Sequence, residues 1–323
     1  MTPRIAVVIP CYRVHEKVLP VLAQIGPDVS QIYVVDDACP QRTGDLVESE
    51  VRDARVRVIR RQNNGGVGAA TKTGMEAAVQ QGADIIVKLD GDGQMDPALI
   101  SSLVRQILRG EADYVKGNRF FAPELVQGMP AARLVGNGML SLLSKLSSGY
   151  WSIFDPTNGF IAIHAAVFSL LPRHKIANDF FFESDLLFRL NLLRARVVDM
   201  PMRAVYADEK SNLRIAAVIG PFLWKHARNF VKRIVYSYFV RDFSVGSLYL
   251  VFGIPLVLFS LGFGGYQWLY HAKLQVESSA GTVMLAALPF IVGFQLLLSF
   301  LGLDIASVPT TPIFPQLVES ERP

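Results

Sequence analysis

Short apolar runs recur along the first part of the chain, separated by longer mixed segments: IAVVIP (5–10), IYVVDD (32–37), VRVIR (56–60), IIVKLD (85–90) and YVKG (114–117). Val and Ile dominate them without clean polar alternation, which is the pattern of strands covered on both faces. The segments at 16–25, 43–53, 68–81 and 97–109 are long enough for crossover helices, so an α/β domain with a mostly parallel sheet is expected. Ligands of such sheets sit beyond the carboxyl ends of the strands. Three strand ends carry suitable groups: Pro10 to Tyr12, Asp36 with Asp37, and Asp90 with Asp92. One site built from separate loops follows.

The pattern changes near the C-terminus. Phe243 to Tyr270 carries no charge, and after a polar link with Lys273 and Glu277 the stretch Ser278 to Leu303 is uncharged too. Each run exceeds the roughly 20 residues that span a bilayer as a helix. Pro255 and Pro289 interrupt them, which membrane helices tolerate because neighbours satisfy the freed carbonyls. The competing reading is a pair of buried helices in a soluble core. The overall hydrophobic content of 51% over 323 residues agrees with a part in lipid.

Lys225, Arg228, Lys232, Arg233 and Arg241 stand before the first run against the single acid Asp242. The positive-inside rule places that side in the cytoplasm, and a two-span hairpin returns the tail there. MTPRIAVVIP is too short an apolar run for a signal peptide. The expected organisation is a cytoplasmic α/β domain (1–211), a basic interfacial segment (212–243), a two-helix transmembrane hairpin (244–303) and a cytoplasmic tail (304–323), in the inner, cytoplasmic membrane. The net charge of +4 does not indicate nucleic acid, because the basic residues cluster beside a span. Anionic lipid headgroups are the simpler partner. The chain has two cysteines, Cys11 and Cys39, expected as free thiols without a chemical role.

The candidate chemistry lies in VKLDGDGQMDP (87–97), which crowds Asp90, Asp92 and Asp96 together. An EF-hand loop would need Gly and Glu where Met95 and Ser101 stand. Asp96 before Pro97 fits a helix N-cap. Asp90 and Asp92 follow a buried strand, with glycines on both sides of Asp92, and are expected to hold a divalent cation and a diphosphate. NNGGVGAATKTG places Thr71 where a dinucleotide fingerprint wants Gly or Ala, and no P-loop ending is present. Its glycines are open to two readings, a loop that starts the helix at 68–81 or a direct phosphate contact.

VVIPCYR, VVDDACPQRTGDL, NNGGVGAATKTG, KLDGDGQMDP and KGNRF, in that order, resemble family 2 glycosyltransferases of the GT-A fold, and among them the polyisoprenyl-phosphate hexosyltransferases. The resemblance covers roughly residues 5 to 210. It implies nucleotide contacts at Pro10 and Tyr12, base and ribose contacts at Asp36 and Asp37, and a Mg2+ or Mn2+ site at Asp90, Asp92 and Gln94. Arg119 and Arg133 look like the arginines that receive an acceptor phosphate. DPTNGF (155–160) looks like an acceptor-side segment, and ADEKSNLRI (207–215) resembles the loop that closes over the donor, with Lys210 and Ser211 on its phosphates. PCYRVHEKV departs from the family pattern at Val14. Asp155 is the candidate base for a hydroxyl acceptor and equally a turn former before Pro156.

The implied reaction is an inverting transfer of a hexose, glucose from UDP-glucose first, from a nucleotide sugar to a polyprenyl phosphate. Other donors such as GDP-mannose, a glycan hydroxyl acceptor, and a non-catalytic membrane scaffold stand as alternatives, and a homo-oligomer stays open. The apolar positions of RLVGNGMLSLLSKLSS (133–148) suit either a headgroup-level helix or ordinary packing against the sheet. AAVIGPFLWKHARNFVKRIVYSYF (216–239), which mixes aromatics with basic residues, points to the interface.

Overall fold

A computed structural model describes residues 2–122, 131–203 and 215–320, with backbone alone at 131–133, 215–218 and 320. Two compact units are present, one of residues 1–230 and 309–323 and the other of residues 231–308.

The first unit is built on a seven-stranded sheet. Strands β1 (Ile5–Cys11), β2 (Val29–Asp36), β3 (Val56–Arg60), β4 (Ile85–Lys88), β5 (Tyr114–Asn118), β6 (Ile161–His164) and β7 (Val197–Pro201) lie in the order β3-β2-β1-β4-β6-β5-β7. All pairs are parallel except those of β6, which runs antiparallel to β4 and β5. All seven residues of β1 are buried, as the unbroken apolar run requires of a strand covered on both faces. The expected helices form as α1 (Val18–Ala23), α2 (Thr43–Glu50), α3 (Val67–Gln80) and α4 (Ile100–Leu108). Asp96 caps the short 3-10 turn Pro97–Leu99 that leads into α4, its Oδ1 accepting from the Ala98 N–H at 2.9 Å. Ile100, Leu103, Val104 and Ile107 then form the buried stripe of α4 at helical spacing.

Beyond β5 come α5 (Ala131–Ser148), α6 (Ala165–Leu170), α7 (Phe182–Leu192) and α8 (Ile215–Val235). Helix α5 is inverted for a surface helix: Ser141, Ser144, Ser147 and Ser148 are buried while Leu134, Val135, Met139 and Leu142 are exposed. The Ser147 hydroxyl lies 2.8 Å from His226 Nδ1 on α8. The C-terminal helix α11 (Phe314–Ser320) belongs to this unit as well. The Asp113 carboxylate accepts from the Ile313 and Phe314 N–H groups, and the Phe314 ring stacks on His164 at 4.2 Å.

The second unit holds α9 (Val245–Leu274) and α10 (Ala280–Ala306), two helices long and apolar enough to cross a membrane. They pack at small residues: a Cβ on Gly293 would lie 2.9 Å from Leu256 Cβ and 3.0 Å from the Gly253 carbonyl oxygen. At the base of this hairpin Arg233 and Asp304, both nearly sealed from solvent, form an ion pair at 2.6 Å, and the Tyr238 hydroxyl donates to the same carboxylate at 2.8 Å. Tyr238 lies in a π-helical turn, Tyr236–Val240.

Candidate active site

The strand order reverses direction between β1 and β4, and the crevice at such a switch point is where open α/β sheets bind ligands. The expected residues whose side chains are described lie at this edge in three groups.

The first group follows β1 and β2. Pro10 is buried in β1 opposite Val35, whereas Tyr12 is exposed with the Arg13 guanidinium 5.3 Å from its ring centre. Asp36 and Asp37 are both buried, and their oxygens are engaged by the chain. Asp36 accepts from the Cys39 and Gly44 N–H groups at 2.7 Å each, which shapes the turn after β2. Asp37 accepts from the N–H groups of Gly65 and Gly66, at 3.0 and 2.8 Å, and pairs with Arg61 at 3.2 Å. Gly66 sits at φ +91°, a conformation that favours glycine, as the N-cap of α3. The glycine loop starts the helix, and its Gly65 and Gly66 amides are taken up by Asp37. Cys11 and Cys39 are buried free thiols.

The second group is the acidic stretch after β4. Lys88 is wholly buried and bridges Asp90 at 2.6 Å and Glu183, in the first turn of α7, at 3.2 Å. Burial alone would lower the Lys88 ammonium, but the two carboxylates more than reverse this and raise it. Asp92 accepts from the Gln94 N–H at 3.0 Å, which folds the turn between them. Burial, followed by the charge of Asp90, pushes the Asp92 carboxyl up. Two hard carboxylates on one turn, the charge of Asp90 raising Asp92, are a donor set suited to Mg2+ or Mn2+. Among the described residues no group of three His, Cys, Asp or Glu converges on one point, so a cation here would complete its shell from the ligand and water.

The third group joins DPTNGF to the end of β5. Gly159 lies directly on the Lys88–Asp90 pair, where any Cβ would collide with Asp90 Oδ2 and Lys88 Nζ. Asp155 and Arg119 are brought together as a two-pronged pair, Nε to Oδ2 at 2.7 Å and Nη2 to Oδ1 at 2.9 Å. Asn158 Nδ2 also donates to Asp155, at 3.3 Å, and its backbone carbonyl accepts from the buried Lys116 ammonium. Burial lowers Lys116 to about 8. Arg133 lies in the first turn of α5, where the backbone alone is described, and Lys210 and Ser211 lie outside the described residues.

Lys88, Lys116, Glu183 and Asp199 were not among the expected site residues. Their signal was present, since each is a charge inside an apolar stretch (IIVKL, YVKG, FFFESDLLF, VVDMP), and a buried charge needs a partner.

The family model described as glycosyl transferase family 2 matches residues 6–171. Among curated relatives, an undecaprenyl-phosphate mannosyltransferase of Micrococcus luteus is 27% identical over 67% of this chain and 90% of its own length. A UDP-N-acetylglucosamine–dolichyl-phosphate N-acetylglucosaminyltransferase of Methanococcus voltae is 26% identical over 63% and 86%. A polyprenol monophosphomannose synthase of Mycolicibacterium smegmatis is 29% identical over 62% and 77%. Among solved structures, glucosyl-3-phosphoglycerate synthase from Mycobacterium tuberculosis, in complex with Mn2+, UDP-glucose and phosphoglyceric acid, superposes with a TM-score of 0.54 at 19% identity, covering 72% of this chain and 79% of that one. It shares the fold.

Proposed function

Since the chain belongs to glycosyl transferase family 2, we propose that it moves a hexose from a nucleotide sugar to a polyprenyl phosphate at a membrane surface. The observation that carries this reading is the meeting of the Asp90–Asp92 turn, the Gly159 loop and the Arg119–Asp155 pair at one sheet edge, in a chain that also has two helices fit to cross a bilayer. The named relatives support the lipid phosphate. So does the first unit's surface, where α5 turns Val135, Met139 and Leu142 outward and α8 exposes Leu223 and Trp224 near Arg228, a mixture suited to headgroup depth. The basic residues before α9 support a catalytic side in the cytoplasm, at the inner membrane.

Asp90 and Asp92, with Gln94 beside them, would hold a divalent cation, which would supply charge neutralisation to the departing nucleotide diphosphate. The acceptor phosphate is already an anionic nucleophile, so orientation matters more than deprotonation. Arg119 supplies that orientation, its fork held in place by Asp155, and Arg133 is the second arginine proposed for the acceptor phosphate. A single displacement inverts the sugar carbon. A hydroxyl acceptor would instead need a base, and both oxygens of Asp155 already accept from Arg119.

UDP-glucose is the first donor to test, beside UDP-N-acetylglucosamine and GDP-mannose. Purified protein in detergent, given each labelled donor, a polyprenyl phosphate and Mn2+ or Mg2+, is expected to make a labelled lipid. No labelled lipid with any donor would reject the reading.

A further inference from the structure

Asp199, on the edge strand β7, is tied to the arginine–carboxylate pair by two separate routes. Its Oδ2 accepts from Asn118 Nδ2 at 2.7 Å and from the Phe154 N–H at 3.3 Å. Asn118 immediately precedes Arg119, and Phe154 immediately precedes Asp155. The other side-chain atom of Asn118, Oδ1, accepts from the Phe120 N–H at 2.8 Å, so this one amide closes the turn that carries Arg119 and hands its orientation to Asp199. Phe120 and Phe154, the residues on the two sides of the bracket, also meet ring to ring at 5.3 Å. The second oxygen, Oδ1, is buried without a hydrogen-bond partner, which a purely structural carboxylate would be expected to have.

We propose that Asp199 is a positioning residue: as a carboxylate it brackets the chain on either side of the Arg119–Asp155 pair and so sets where Arg119 meets the acceptor phosphate. This rests on the reading of Arg119 given above. Among the described residues, the charged and titratable groups that face it are Lys116 and Tyr114 on β5, Lys145 on α5 and Asp155 on the intervening loop. Burial, with Asp155 adding to it against the hydrogen bonds and Lys116, pushes the Asp199 carboxyl up to about 6. Protonation weakens an oxygen as an acceptor, so mild acid loosens the bracket.

The test compares wild type and Asp199→Asn, which keeps the shape and removes the charge, in transfer to a short-chain polyprenyl phosphate from whichever of the three donors is used. Asp199→Asn is expected to lower kcat/KM for the acceptor about tenfold at pH 8, with the donor KM unchanged. The fall in wild-type rate centred near pH 6 should be missing from the variant, and Asp199→Glu should restore part of the loss. Asn118→Ala cuts the same bracket from the other side and should reproduce the acceptor defect. Acceptor kinetics like wild type from pH 5 to 8 in Asp199→Asn, or equal losses for donor and acceptor, would overturn the proposal. If Asp199→Asn does not fold, unchanged acceptor kinetics in Asn118→Ala do the same. Wild-type protein that labels no lipid rejects the functional reading itself, a result distinct from all of these.

Discussion

At the residue scale the site is a set of buried charges that neutralise one another, and the two acids of the Asp-x-Asp turn differ in how they are held. Asp90 is fixed by Lys88, whereas Asp92 is raised by burial and by its neighbour. Asp92 is therefore the acid with most to gain from a cation. Asp92→Asn keeps an oxygen for the Gln94 N–H and removes the charge, so turnover is expected to fall by about 10² or more while thermal unfolding barely moves. Steady-state assay beside calorimetry reads both. Lys88 should behave in the opposite way. Lys88→Met leaves the buried Glu183 carboxylate, with the partly exposed Asp90 beside it, without a cation, and losing one partner of a buried pair costs about 3–5 kcal/mol. A large loss of stability in denaturant unfolding, not only of activity, is the expected result. Sequence shows Asp90 and Asp92 because a polar turn after an apolar strand stands out. It does not show their support, because Glu183 lies far along the chain from Lys88 and only the fold joins them.

At the element scale the five strands read from apolar runs all form, since Val and Ile without polar alternation leave little choice for a segment of that length. Strands β6 and β7 escape the same reading: IAIH is four residues long, and VVDMP carries an acid that faces the site. The two long apolar runs become α9 and α10 for an equally simple reason, yet their lower fastening was invisible. Arg233 reads as one more basic residue beside a span, and Asp304 as the first residue of a tail. In the structure they close on each other with Tyr238, 71 residues apart in sequence for the ion pair. Asp304 also sits in the last turn of α10, where the helix dipole disfavours an acid, so the arginine is needed to hold it there. Asp304→Ala should therefore strand Arg233 in a buried position and destabilise the second unit by about 3 kcal/mol or more. Asp304→Ala with Arg233→Met should recover much of the loss in detergent-solubilised unfolding; no recovery would mean the pair is not what fastens the hairpin base.

At the scale of the whole molecule, the chain leaves the first unit after Phe230, forms the hairpin, and contributes residues 309–323 to the first unit again. The tail is held by the Asp113 carboxylate and by the Phe314 ring on His164, whose own Nδ1 accepts from the Ala166 N–H at 3.2 Å. His164 is thus neutral in its folded role, and burial lowers it to about 4, partly opposed by Asp84. The sign follows from linkage. A base whose folded pKa is depressed binds fewer protons folded than unfolded between its two pKa values, so the stability it supports is intact above its usual value near 6.5 and is lost as pH falls toward 4. The full shift amounts to at most about 3 kcal/mol. Asp113 works the other way, since burial raises its carboxyl and favours the folded state in acid, so wild-type stability alone would blur the two. His164→Phe keeps a ring beneath Phe314 and removes the titration. The stability of wild type minus that of His164→Phe should therefore fall steadily from pH 6.5 to 4, by up to about 3 kcal/mol, and be flat above pH 7.5. Phe314→Ala should cost about 2 kcal/mol at pH 7.5 through lost burial and stacking, and less at pH 4.5, where His164 is already partly protonated. A difference curve that stays flat across that range would mean the tail is held without the imidazole.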